Sequence, residues 1–377
     1  MTRLPPPRVW VWTAATLVVV AVAVLAWRGS DAAATSSTTA APPATPAGTP
    51  AAALTAAWSV DTGGPATASV VESDRVVVPA ADGVAMVDPA TGEEAWHYTR
   101  SGARLCGATA VDGVVVVLFS TGGRCDELTA LRATTGERVW YRSVGFRADA
   151  TLTSTDRIVL ATSPTGLATV DPLGNNIRWH HAADAGCRLV DATAGTTGVA
   201  LLQRCADGGL QAQLLDGFDG TLTWSRPLGT GTGTARLAGA DGVVGVVDGD
   251  QLLALRAPDG GTLQTLPLPA DDGTAPLQTS AGGTALLWAR GTLTAVDTTT
   301  GAAAWSVPAV GLPATPDGKQ AGTSVVVPED GAFVTRDLLT GTELGRSTAP
   351  AVPVGARTAV VGPVVVVGTT GERAAFS

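Results

Sequence analysis

Residues 87–96 read Val87-Asp88-Pro89-Ala90-Thr91-Gly92-Glu93-Glu94-Ala95-Trp96. The phrase returns as Leu131-Arg132-Ala133-Thr134-Thr135-Gly136-Glu137-Arg138-Val139-Trp140 and as Val296-Asp297-Thr298-Thr299-Thr300-Gly301-Ala302-Ala303-Ala304-Trp305. Each copy reads as strand, turn, strand. The glycine supplies the positive φ that the turn needs, and the tryptophan falls at a fixed place on the returning strand. Asn175 stands in for that glycine in one copy, and Asn is the residue next most tolerant of the left-handed region.

Working outward, Trp58, Trp96, Trp140, Trp179, Trp224 and Trp305 are spaced by 38, 44, 39, 45 and 81 residues. The last gap spans two periods, so one marker is missing near Gln264. A degenerate copy follows at Asp337-Leu338-Leu339-Thr340-Gly341. A second series of apolar runs has the same period: Val76–Val78, Val114–Phe119, Ile158–Ala161, Val199–Leu202, Val243–Val247, Thr284–Trp288, Ser324–Val327 and Val364–Val367. Turn residues precede each run, among them Asp74, Asp112-Gly113, Asp156 and Asp241-Gly242. The roughly 320 residues from Trp58 to Ser377, shared among eight runs, leave about 40 each, the size of a four-stranded blade. The expectation is an all-β, eight-bladed β-propeller of four-stranded blades. After Gly345 there is room for only three strands, whereas Trp58 opens the fold with no hairpin before it. That first strand is therefore predicted to close the last blade, hiding both open edges.

Composition agrees. The 46 Gly, 24 Pro and 5% aromatic residues suit short strands and tight turns, and 45% hydrophobic residues exclude a disordered chain. A net charge of −9 excludes a nucleic-acid backbone as partner, because that partner needs a basic face. Lys319 is the only lysine among many arginines, which with the Ala, Gly, Val and Thr content points to a bacterial gene rich in G and C.

The amino terminus differs in kind. Val9 to Trp27 carries no charge and is bounded by Arg8 and Arg28, with Trp10, Trp12 and Trp27 at its ends. Nineteen helical residues nearly span a hydrocarbon core, and indoles favour its interfaces. The expected organisation is a cytoplasmic tail over 1–8, a transmembrane signal anchor over 9–27, an Ala/Thr/Pro-rich flexible linker over 28–57 and the propeller over 58–377. Arg3 and Arg8 place the N-terminus in the cytoplasm and the propeller outside the plasma membrane. The alternative is a cleaved signal peptide with a small-residue site at Ala32-Ala33-Ala34. In the linker, Leu54 is the one large apolar residue.

Cys106, Cys125, Cys187 and Cys205 form two local pairs, each coinciding with an insertion of about five residues in its repeat. They read as two disulfides in an oxidising compartment, with buried free thiols as the alternative. No CxxC spacing suggests zinc.

The quoted units closely resemble the repeat of pyrroloquinoline-quinone-like β-propellers, over about residues 58–377. That family holds calcium- and quinone-dependent dehydrogenases, and also noncatalytic scaffolds such as an eight-bladed outer-membrane assembly lipoprotein. The resemblance implies the propeller, with the marker tryptophans docking adjacent blades. The lean blades lack the long insertions and the adjacent Cys-Cys pair of the enzyme branch, so no bound quinone is implied.

Candidate chemistry is sparse. His97 and His180 each follow a marker tryptophan, which reads as packing or surface, and His181 is the remaining histidine. Gly229 to Thr234 looks like a phosphate loop but precedes no helix. Asp248-Gly249-Asp250 and Asp271-Asp272-Gly273 lack a twelve-residue calcium loop and read as turns. No catalytic, cofactor-binding or metal-binding residue is assigned, and no cofactor is expected. The reading is a membrane-anchored extracytoplasmic scaffold whose partner is an unidentified envelope protein or peptide. The alternatives are a degenerate quinone- or calcium-dependent oxidoreductase and a ligand-sensing ectodomain.

Overall fold

A computed structural model describes residues 7–377 except 45, 66, 68, 147–149, 156, 230–234 and 316–321. Asp156, residues 230–234 of the Gly/Thr loop, Lys319 and Arg3 therefore lie outside the described residues. The strands form eight sheets arranged as successive antiparallel meanders. Blades 1 to 6 occupy 71–100, 104–143, 151–181, 187–229, 236–267 and 277–308. Blade 7 pairs three strands over 324–348, with Ala314 bridged to Val326 on their inner side, while Gly311–Leu312 lies parallel to Ala356–Arg357 of blade 8. Blade 8 takes its three inner strands from 356–376 and its outer strand from β2 (Ala56–Asp61), defined below with the other N-terminal elements.

That pairing closes the ring. Trp58 lies opposite Ala375 and Asp61 opposite Glu372 in an antiparallel register. The first strand of the propeller in sequence thus completes the last blade, as the missing hairpin predicts. Each apolar run is the second strand of its blade. Val76, Val115, Val199, Val244, Leu286, Val327 and Val366 are buried there, because these strands pack on both faces.

The outer strand of every blade carries a β-bulge near its start, after the turn in blades 1 to 7 and at Ala57 in blade 8. In blade 1, Met86 pairs with Trp96 and Val87 with Glu94, so Ala95 is the extra residue. The bulge increases local twist and re-aims the next side chain. The indole so aimed crosses to the next blade. Trp96 Nε1 donates to Ala133 O at 2.9 Å, and the ring covers Gly136. The same bond runs from Trp58 to Pro89, Trp140 to Pro172, Trp179 to Gly217, Trp224 to Ala257 and Trp305 to Leu338. In every case the acceptor is the residue after the first of the five-residue turn. Glycine at positive φ in that turn leaves room for the ring at five of these joints, and Asn175 takes the same conformation in the turn that meets Trp140.

Two junctions lack the indole. At blade 5, Gln264 occupies the marker register, and the bulged Leu263 fills the space over Gly301 instead. Between blades 7 and 8, Phe333 and Phe376 meet edge to face at 5.4 Å, and Leu54, 5% exposed, joins their cluster.

Leu54 introduces the main departure from expectation. The helix α1 (Pro7–Arg28) is followed by α2 (Asp31–Ala34) and β1 (Thr35–Ser37), then by β2. The segment expected as a free linker is hydrogen-bonded to the propeller. β1 adds a fifth strand to the outer edge of blade 1, pairing Thr35 with Arg100 and Ser37 with Tyr98. Beyond it, Ala40 N donates to Thr135 O at 3.0 Å and Arg75 Nη2 to Ala41 O at 2.7 Å. Pro46 then packs at Gly362, Gly48 at Pro363, and Leu54 N donates to Thr348 O at 2.7 Å. Small Ser, Thr, Ala and Pro side chains build no core, but their backbone can add to an existing edge.

Over Trp10–Trp27 α1 carries no charge, and this stretch is not covered by the propeller. Its apolar stretch Trp10–Arg28 has a mean hydropathy of 2.1, long and apolar enough to cross a membrane.

Candidate functional site

The first strands of the blades surround the axis, and polar side chains on or beside those of blades 1, 2, 4 and 6 reach a neighbouring blade. Ser69 Oγ donates to Ala110 O at 2.7 Å, and Thr109 and Ser154 hydroxyls meet at 2.6 Å. Asp191 Oδ2 accepts from Leu237 N at 2.8 Å, and Gln278 Nε2 donates to Asp241 O and Val243 O. Ser69, Asp191 and Gln278 thereby satisfy backbone polar atoms of a neighbouring blade. Burial raises the Asp191 carboxyl, opposed by hydrogen bonds from the Leu237 and Ala192 backbone. Burial lowers Arg357, whose charge Asp241 favours. The axial side chains thus tie blades together.

The sequence-derived candidates fall in separate places. His97 lies on the outer strand of blade 1, its Nδ1 2.6 Å from Glu94 Oε1 and its Nε2 3.0 Å from Ser36 Oγ. It braces β1. His180 and His181 lie on the outer strand of blade 3, where His180 pairs with Ala168 as His97 does with Ala85. The two acidic turns of blade 5 do come together, but around an arginine. Arg290 Nη2 donates to Gly249 O at 2.6 Å and Nη1 to Pro269 O at 2.5 Å, while Nε lies 3.9 Å from Asp271 Oδ1. The guanidinium supplies there the positive charge that a cation would bring. Asp88, Asp171, Asp216, Asp297 and Asp337 each accept from backbone N–H groups two and three residues on, as turn formers do.

A polar network that joins two buried glutamines of blade 4 to the exposed Asp184 has no signal in the sequence. Gln203 Nε2 and Gln213 Nε2 both donate to Asp184 Oδ2, at 2.6 and 2.7 Å, and Gln203 Oε1 accepts from Asp184 N. It fixes the connection between blades 3 and 4. Nearby, the disulfide Cys187–Cys205 joins neighbouring strands, and Cys106–Cys125 joins the first and third strands of blade 2.

Among the described residues, no three His, Cys, Asp or Glu side chains converge as a metal would require. What the surface does offer is exposed apolar side chains. Leu173, Phe218 and Leu339 stand at the same place in the five-residue turns of blades 3, 4 and 7, and Tyr141, Leu222 and Leu344 lie on outer strands. Arg178 stacks 4.8 Å over the Phe218 ring.

Fold, repeat and docking tryptophans together define an eight-bladed propeller of the pyrroloquinoline-quinone-like type. The chain belongs to the family described as outer membrane protein assembly factor BamB, which matches residues 49–200 and 210–372. Among solved structures, BamB from Moraxella catarrhalis shares 18% identity at a TM-score of 0.51, covering 86% of this chain and 99% of that one. The computationally designed Ika8 protein shares 16% at 0.57, covering 87% and 100%. A quinohemoprotein alcohol dehydrogenase from Comamonas testosteroni shares 15% at 0.49, covering 86% and 76%. No curated protein matches the chain. The apolar helix, of the kind that serves as signal or anchor, and the two disulfides suggest an extracytoplasmic location.

Proposed function

We propose that the chain is a noncatalytic, membrane-anchored scaffold of a bacterial cell envelope, holding another envelope protein or peptide against its propeller. Membership of the assembly-factor family carries this reading. Two features support it. The axial side chains are committed to joining blades, and the exposed large apolar groups, Leu173, Phe218 and Leu339, stand on turn tips where a partner can bury them. α1 serves as the plasma-membrane anchor, with the propeller outside.

Cross-linking of the tagged full chain in its own cells, followed by identification of what remains attached, tests the proposal. A specific envelope protein should be recovered, and Phe218→Asp or Leu339→Asp should reduce its yield. Recovery of the chain alone would count against a scaffold. Tight binding of added quinone and calcium, with oxidation of an alcohol or sugar, would replace it with the oxidoreductase reading.

A further inference from the structure

The chain between α1 and the propeller is short. Ser101 donates to Ala34 O through its N at 2.9 Å and its Oγ at 3.2 Å, so the chain is fastened to blade 1 six residues after Arg28. Two of those residues, Gly29 and Ser30, are non-helical, and four form α2. At about 3.5 Å per extended and 1.5 Å per helical residue, this leash reaches about 13 Å. The outer strand of blade 1, Glu94–Arg100, stands about 20 Å tall at 3.3 Å per residue. The leash is too short to pass from one end of that strand to the other.

Which end it meets is fixed by topology. In successive antiparallel meanders, the turns between second and third strands share one face with the connections between blades. The first-to-second and third-to-fourth turns share the other. Ser101 lies in the connection from blade 1 to blade 2, so α1 joins the chain at the first face. Both disulfides are at that face, near the start of the first strands at Cys106 and Cys187. From there β1 runs along the outer strand toward the opposite face, where Ala40 and Ala41 are held by Thr135 and Arg75, and Pro46 by the Gly362 turn. Leu173, Phe218 and Leu339 are on that opposite face, in third-to-fourth turns.

We propose that residues 34–41 act as a strap that sets the attitude of the propeller on a lipid bilayer. The disulfide-bearing face lies against the lipid surface, and the face with the five-residue turns is turned outward to partners. The proposal rests on α1 remaining as an anchor. It depends on tether geometry and not on charge, so salt leaves it unchanged.

The test uses the full chain in liposomes, with a fluorophore on Ala81→Cys or on Ala90→Cys. Both alanines are exposed, the first in the second-to-third turn of blade 1 and the second in its third-to-fourth turn. Spin-labelled headgroups should quench the Ala81 label roughly twofold more than the Ala90 label, given the separation of about 20 Å. Equal or reversed quenching would overturn the proposal. Thr38→Pro with Ala40→Pro removes the N–H donors to His97 O and Thr135 O. Adding Ser101→Pro also removes both donors to Ala34 O. The triple variant should still float with the liposomes but lose the difference, and a difference that persists would show that the strap does not set the attitude. A chain that fails to float at all fails as an anchored protein, which is a separate outcome that removes the premise.

Discussion

The indole of Trp58 lies so close over Gly92 that a Cβ there would stand 2.7 Å from the ring. Trp58 also donates to Pro89 O at 3.0 Å. One residue belongs to the outer strand of blade 8 and the other to blade 1. The contact that joins every indole-bearing blade to its successor therefore also joins the end of the circle to its beginning. Closure is one more repeat of the same joint, with the difference that its strand is borrowed from the amino-terminal side of the fold.

This joint should behave as a coupled pair. Trp58→Ala removes a part-buried ring and one hydrogen bond, an expected loss of about 2–4 kcal/mol. Gly92→Ala places a methyl group against the ring at a φ of +71°, with a loss of about 1–3 kcal/mol. In the double variant the methyl group no longer meets an indole, so the combined loss should fall below the sum. Urea unfolding of the four proteins measures this, and strict additivity would show that the two residues do not share a joint.

Arg373 is a second clasp between blades 8 and 1. It is 1% exposed, and its donors reach Val77 O at 3.0 Å, Thr67 Oγ1 at 2.6 Å, Thr369 O at 2.5 Å and Glu372 O at 3.0 Å. Burial, with Arg357 nearby, lowers its pKa to about 10. At neutral pH it is charged, folded and unfolded alike. Arg373→Met keeps the volume but leaves several buried acceptors without donors, at an expected cost of about 3–5 kcal/mol. Arg373→Gln should recover part of that. Melting temperatures that rank Met at or above Gln would mean that packing, not donor loss, decides.

The repeat, the blade count and the closing strand are all legible in the sequence, because each depends on a local pattern: a turn with a positive-φ residue, an apolar run, a ring at a fixed offset. What stayed hidden depends on backbone or on distance. β1 carries only small polar side chains, so nothing in Thr35-Ser36-Ser37 distinguishes an added strand from a coil until the open edge of Glu94–Arg100 is in view. Leu263 replaces an indole only because the bulge falls on it. Asp248–Asp250 and Asp271–Gly273 read as turns, and nothing in the sequence shows that Arg290, 41 residues from Gly249 and 21 from Pro269, ties them together.

Acid should weaken the five-residue turns. Backbone N–H groups of Thr300 and Thr340, with the hydroxyls of the same residues, hold the Asp297 and Asp337 carboxyls below their ordinary range. A carboxyl whose pKa is lower in the folded state stabilises it above the unfolded value, near 4, and loses that contribution as pH falls through the folded value. Asp297→Asn with Asp337→Asn retains an acceptor oxygen but cannot titrate. The variant should therefore be less stable than the parent at pH 7, and the gap should narrow toward pH 3. Urea midpoints at the two pH values check it; a gap of equal size at both would sink the linkage.

The two disulfides sit where blades outgrow their neighbours. The first strands of blades 2 and 4 run 8 and 9 residues, against 4 in blades 3 and 5. Cys106 and Cys125 are packed within the core shared by blades 2 and 3, whereas Cys187 and Cys205 are only half-buried at the end of their hairpin. Cys106–Cys125 and Cys187–Cys205, with sequence separations of 19 and 18, each limit the unfolded chain by about 3 kcal/mol. The pairs belong to different blades, so their losses should add. Replacing each pair by serines should lower the urea midpoint in two similar steps, and reductant should shift the parent but not the four-serine variant. Peptide mapping without reductant should recover Cys106 linked to Cys125 and Cys187 linked to Cys205. Four free thiols in protein from the cell envelope would remove both the bridges and the case for export that rests on them.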